Sequence, residues 1–249
     1  MKCQSPEILE PLWEKIHFLP GNSIATDQVV IEGGGKISEG TKSKGRKLLL
    51  EKPIRFLLLV DESDTWGHGV RSFSEVEGSF VLKSSAVLCG PVTSKLYQLW
   101  THKRSMVKVI YSLFQGLPQV YMDVKVHWAE DQKILKMEIS PAGIRSADVT
   151  MQGAGGAIRR RTDGSELPLH HWVWLQDDHS DVAIVQDGAF AFTMTEEMRT
   201  LQTGLVDFRT VSFVHWPQMM PVSILTTKSV FILFLTFQRY FLNEACSIF

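Results

Sequence analysis

The stretch VYMDVKVHW, residues 120–128, alternates apolar and polar side chains without a break. Val120, Met122, Val124, Val126 and Trp128 fall on one side, and Tyr121, Asp123, Lys125 and His127 on the other. A period of two is the signature of a strand with one buried face, and a helix cannot accommodate it. The following KILKMEI repeats the pattern, with Leu135, Met137 and Ile139 alternating with Lys136 and Glu138. The two runs, separated by AEDQ, predict an antiparallel hairpin with a solvent-facing polar side.

The rest of the central chain extends this. IRFLLLV (54–60) is continuously apolar, as a strand covered on both faces is. MVKVIYSLF (106–114) is rich in β-branched and aromatic residues and ends in the turn signal QGLPQ. DVAIVQ and AFAFTM flank Asp187-Gly188, a pair suited to a tight type I′ turn, which predicts a second hairpin. HHWVWL (170–175) and MRTLQTGLVDF (198–208) add strands. No helical period of useful length occurs between residues 54 and 210. Many strands at this spacing predict a mainly β chain built as a large antiparallel β-sandwich.

The ends read differently. Residues 5–20 carry apolar positions at helical spacing behind Ser5 and Pro6, which predicts a short N-terminal helix interrupted by Pro11. EGGGKISEGTKSKGRK (32–47) predicts a mobile hairpin or loop with short pairing around Lys36 to Ser38. SVFILFLTF (229–237) is apolar but falls short of the roughly 20 residues of a spanning helix. It reads as a buried strand or helix, and a membrane role is not expected. The expected organisation is an N-terminal segment at 1–26, a β-sandwich domain at 27–215 and an apolar tail at 216–249.

A net charge of -1 gives no electrostatic case for nucleic acid or an anionic membrane. Arg159–Arg161 is the only dense basic cluster and reads as a solvated loop. Three widely spaced cysteines, Cys3, Cys89 and Cys246, form neither a disulfide framework nor a zinc motif. With no signal-peptide pattern in residues 1–20, they point to a reducing compartment such as the cytoplasm.

The chemistry-bearing motifs are few. There is no P-loop, no G-x-G-x-x-G between strand and helix, and no G-x-S-x-G elbow. Asp64 with His68, or His170 with His171, would each supply two metal ligands. A catalytic zinc needs three that converge, and neighbouring residues on a strand point apart. Asp61, Glu62, Asp64, Glu130, Asp131, Asp177 and Asp178 sit in predicted turns, where carboxylates commonly bond backbone amides. Trp128 belongs to the apolar face of its strand. Trp66, Trp172 and Trp174 remain as aromatic platforms, the last two on one face opposite Val173, with periodicity leaving open which face is core.

The order of segments carries more information than any one of them. DESDTWGHGV (61–70), CGPV (89–92), the strand pair from Met106 to Ile139, HHWVWL, DVAIVQDGAFAF and MRTLQTGLVDFR follow one another as in glycoside hydrolase family 38, the α-mannosidases. The chain resembles the β-rich C-terminal region of that family over roughly residues 27 to 210. The resemblance implies a supersandwich of the galactose-mutarotase-like kind. It implies an enzyme that hydrolyses terminal α-mannosides in glycan and mannose catabolism, with zinc and the catalytic aspartate carried by a barrel preceding the β region.

On that reading the chain is a piece of a longer enzyme, holding no catalytic or metal residue of its own and inactive alone. Zinc is expected only in the full-length enzyme. α-Mannoside glycans are the expected ligands, with Trp66, His68, Trp172 and Trp174 as candidate contacts. The missing barrel, or a second copy of the chain, is the expected protein partner. The alternatives are a stand-alone carbohydrate-binding module and a partner-binding β-scaffold. The surface that would meet a barrel predicts poor solubility in isolation.

Overall fold

A computed structural model describes residues 23–25, 29–32, 36–39, 50–63, 69–117, 119–142, 144, 148–161, 163–176, 181–187, 191–194, 201–206 and 225–236. The described elements are all strands. In chain order the first nine are β1 (Ser23–Ala25), β2 (Val29–Glu32), β3 (Lys36–Glu39), β4 (Leu50–Val60), β5 (Val76–Ser79), β6 (Val81–Cys89), β7 (Thr93–His102), β8 (Ser105–Phe114) and β9 (Gln119–Trp128). The others are β10 (Lys133–Pro141), β11 (Asp148–Gly153), β12 (Gly156–Arg161), β13 (Leu167–Pro168), β14 (Trp172–Gln176), β15 (Asp181–Asp187), β16 (Ala191–Met194), β17 (Leu201–Val206) and β18 (Leu225–Thr236).

Three sheets result, and every neighbouring pair in them is antiparallel. The largest has the order β12-β11-β14-β15-β18-β9-β8-β7-β6, the second β13-β16-β17-β10-β4-β5, and the smallest β1-β2-β3. The two larger sheets share one apolar core. Val120, Met122, Val124, Val126 and Trp128 of β9 are buried in it, as the alternation requires. Phe56 of β4 meets Trp100 of β7 edge-on across the core, with ring centroids 5.6 Å apart. Ile31 of the small sheet is fully buried in the same cluster. Each such side chain contributes about 1.5–3 kcal/mol of burial.

β4 is covered on both faces, as its continuous apolar run demands. Ile54, Phe56 and Leu58 enter the main core, while Leu57 and Leu59 join Ile134 and Phe73 on the opposite side. β8 and β9 pair across the QGLPQ turn, where Gly116 takes a φ of +83° and the Leu117 amide donates to the Phe114 carbonyl. The short pairing near Lys36 is present as β2 against β3, with Glu32 opposite Lys36. Residues 225–236 form β18, hydrogen-bonded to β15 on one side and β9 on the other.

Both predicted hairpins are corrected. β9 pairs with β8 and β18, whereas β10 pairs with β4 and β17, so residues 129–132 cross from one sheet to the other. The crossing is fixed by Ser105, whose hydroxyl accepts from the Ala129 amide (2.9 Å) and donates to Glu130 (3.0 Å). Gln132 takes a φ of +51°, and its carbonyl accepts from the Asp61 amide at 2.9 Å. β15 and β16 likewise lie in different sheets. Alternation states which side of a strand is buried, not which strand lies beside it. In a sandwich, consecutive strands can satisfy one core from opposite sides.

The polar side of β10 is the third correction. Lys136 is fully buried and Glu138 is 5% exposed. The predicted N-terminal helix at 5–20 lies outside the described residues. Among the described residues no helix is long and apolar enough to cross a membrane.

Candidate functional site

The outer face of the large sheet near its β12 edge brings together the most distinctive polar and aromatic residues. Val173 and Leu175 of β14 are buried in the core, so Trp172 and Trp174 turn the other way. Both indoles are half-buried. Two residues along a strand separate them by about 7 Å. Trp174 stands between Thr150 of β11 and Ala183 of β15, and Thr150 stands opposite Arg159 of β12. Trp172 is opposite Val185, and Gln152, two positions beyond Thr150, shares the face.

The result is a shallow platform of two indoles with a hydroxyl and an amide beside them. The Arg159 guanidinium, held by Asp148 at 2.9 Å, forms its rim. The Trp174 Nε1–H is buried and without a hydrogen-bond partner. Aromatic faces suit the apolar faces of sugar rings, and flanking hydroxyls and amides suit their oxygens.

Of the other candidates, Trp66 and His68 lie outside the described residues, as does Asp64. Asp61, at the end of β4, is buried and forms a turn. Its Oδ1 accepts from the Ser63 amide at 3.2 Å and from the Ser63 hydroxyl. His170 and His171 are both exposed. Their carbonyls accept hydrogen bonds from the side chain and backbone of the buried Gln186, and the His171 amide donates to Gln152. This fixes the backbone entering β14. Among the described residues no three histidine, cysteine or carboxylate side chains are grouped to hold a metal ion.

Sequence reasoning missed a buried charge cluster on the outer face of the second sheet. Lys136 Nζ donates to Glu166 at 2.7 Å and to Thr193 at 3.1 Å, and the Thr193 hydroxyl also donates to Glu166. The Phe73 ring lies 5.7 Å from the ammonium. Burial pushes the Lys136 pKa below its ordinary value, and the Glu166 carboxylate partly opposes this. Around it, the Glu166 amide donates to the Arg71 carbonyl (2.8 Å) and Arg71 pairs with Asp163 at 2.7 Å. Ser165, through its hydroxyl and amide, and then Arg71 bring the Asp163 pKa down to about 2. The cluster clamps residues 71–73 and 163–166 onto the sheet. A fully enclosed ammonium with both partners inside the protein is a structural tie. The sequence signal for it was weak: a lysine on a strand whose neighbours are Leu57, Leu59 and Ile134.

The family model described as "Glycosyl hydrolases family 38 C-terminal domain" matches residues 27–204. No curated protein sequence matches the chain. An alpha-mannosidase from Enterococcus faecalis V583 has a similar fold, with a TM-score of 0.62 at 9% identity, over 86% of this chain and 29% of that one. A glycosyl hydrolase family 38 protein from Enterococcus faecalis gives 0.64 at 10% identity, over 86% of this chain and 30% of that one. The chain therefore spans less than a third of the length of these structures.

Proposed function

Because the chain belongs to glycosyl hydrolase family 38 through that family's C-terminal domain, we propose that it supplies a glycan-contact surface to an α-mannosidase acting in glycan catabolism. The observation that carries this reading is the paired, outward-facing Trp172 and Trp174, with Thr150 and Gln152 on the same face. An α-mannoside ring lies against the indoles, and its hydroxyls meet Thr150 Oγ1 and Gln152. Hydrolysis, and the zinc that serves it, belong to the part of the family enzyme outside this domain. The 249-residue chain then binds α-mannosides without cleaving them.

Titration of the purified chain with α-linked mannose oligosaccharides tests the reading. Binding should quench tryptophan fluorescence saturably, and Trp174→Ala should weaken it by about tenfold or more, the scale of one lost stacking contact. The same preparation with added zinc should leave an aryl α-mannoside intact. Turnover abolished by chelation, or an oligosaccharide response unchanged in Trp172→Ala and Trp174→Ala, would refute it.

A further inference from the structure

The sheets end in edges of very different quality. β13 has two residues and β5 four, too short to template a partner strand. β6 has nine, but a bulge between Leu82 and Ser84 breaks its register and Lys83 sits in it, two devices that discourage pairing. β12 has six residues in uninterrupted register with β11, from Gly153 opposite Gly156 to Asp148 opposite Arg161. Among the described residues it is the terminal strand of the large sheet, and residues 154–160 are all exposed.

The hairpin that carries this edge is closely packed at its turn. The β11–β12 turn uses Gly156 at a φ of +143°, open to glycine but strained for other residues. Ile158 Cδ1 occupies the space where a side chain on residue 153 would begin, so the hairpin closes tightly on Gly153. β12 also carries a run of three arginines, Arg159–Arg161. Arg159 is paired with Asp148 and remains 74% exposed, and Arg160, on the opposite face, is exposed. Pairing two copies through this edge would crowd the arginine runs of both into one ribbon, which like-charge repulsion disfavours. The same charges favour an acidic strand.

We propose that β12 is a docking edge for an extended acidic segment of another protein, which adds to the large sheet as a tenth strand. Main-chain hydrogen bonds along Gly156–Arg161 give the affinity. Carboxylates on the incoming strand, alternating between its two faces, meet Arg159 on one side and Arg160 on the other. Ile158, 39% exposed, offers an apolar contact in the middle of the strand.

The test uses the full chain and a fluorescein-labelled peptide of about ten residues repeating Glu-Glu-Val-Val, which places carboxylates on both faces of a strand, read by fluorescence anisotropy in about 50 mM NaCl. The proposal expects saturable binding, at least about tenfold weaker for a lysine-for-glutamate peptide and for an Arg159→Glu/Arg160→Glu chain. Circular dichroism of that variant should match the parent, since both side chains are on the surface. Two further peptides, each N-methylated on the amides of one edge, separate strand addition from charge attraction: one of the two must lose binding. No binding of the glutamate peptide, equal binding of the lysine peptide, indifference to the double variant, or survival of binding with both N-methylated peptides would each overturn the proposal.

Discussion

Replacing Glu166 with glutamine leaves the Lys136 ammonium fully enclosed, with Thr193 and a neutral amide for company. Breaking a buried pair from one side costs about 3–5 kcal/mol, because the remaining charge has no water to return to. Lys136→Met is milder. Glu166 keeps 16% of its side chain exposed and retains the Thr193 hydroxyl as a donor, so the expected cost is about 2 kcal/mol. The double variant removes both charges and should lie within about 1 kcal/mol of the parent, since an apolar replacement of similar shape is often neutral. The coupling between the two positions is then at least about 4 kcal/mol, above what most neighbouring residues show, because each single variant strands a charge in the interior. Urea unfolding followed by tryptophan fluorescence, with unchanged denaturant slopes, gives all four corners of the cycle. Costs below about 0.5 kcal/mol for both single variants, or a Lys136→Met more damaging than Glu166→Gln, would refute the enclosed clamp.

Further outcomes follow from other parts of the fold. Burial raises the Tyr111 phenol above its ordinary pKa of 10.0. The unfolded chain ionises first, so stability is undiminished below about pH 10 and falls above it; urea midpoints between pH 8 and 11 should show a smaller alkaline loss for Tyr111→Phe. Asp163 behaves in the opposite sense. Its lowered pKa gives a contribution present above the ordinary value of 3.8 and lost as the pH falls toward 2. Its carboxyl carbon resonance should titrate near pH 2 and move upward in Ser165→Ala. Ending the chain after Pro221 removes β18, through which β15 and β9 are joined. The truncated protein should lose cooperative unfolding, and a thermal midpoint equal to the parent's would show that β18 contributes nothing.

What the sequence disclosed followed from local physics. Period two along residues 120–128 identified the buried face correctly, because a strand's face is a property of the strand alone. The unbroken apolar run at 54–60 marked burial on both sides for the same reason. Partners were another matter. The AEDQ and Asp187-Gly188 linkers read as hairpin turns, yet each leads between sheets, a choice set by distant strands such as β18 and β17. Lys136 looked like a solvent residue, and only residues 71–73 and 163–166, folding back over the sheet, enclose it. The pairing of Trp172 with Trp174 was legible, but the face they occupy depended on finding Val173 and Leu175 in the core.

The account rests most on that face. Indole N–H resonances of the seven tryptophans, followed during titration with α-linked mannose oligosaccharides, read it directly. Trp172 and Trp174 should shift saturably as a sugar ring stacks on the indoles, while Trp100 and Trp128 in the core stay in place. Resonances of Trp172 and Trp174 that remain still at saturating sugar would contradict the glycan-contact assignment.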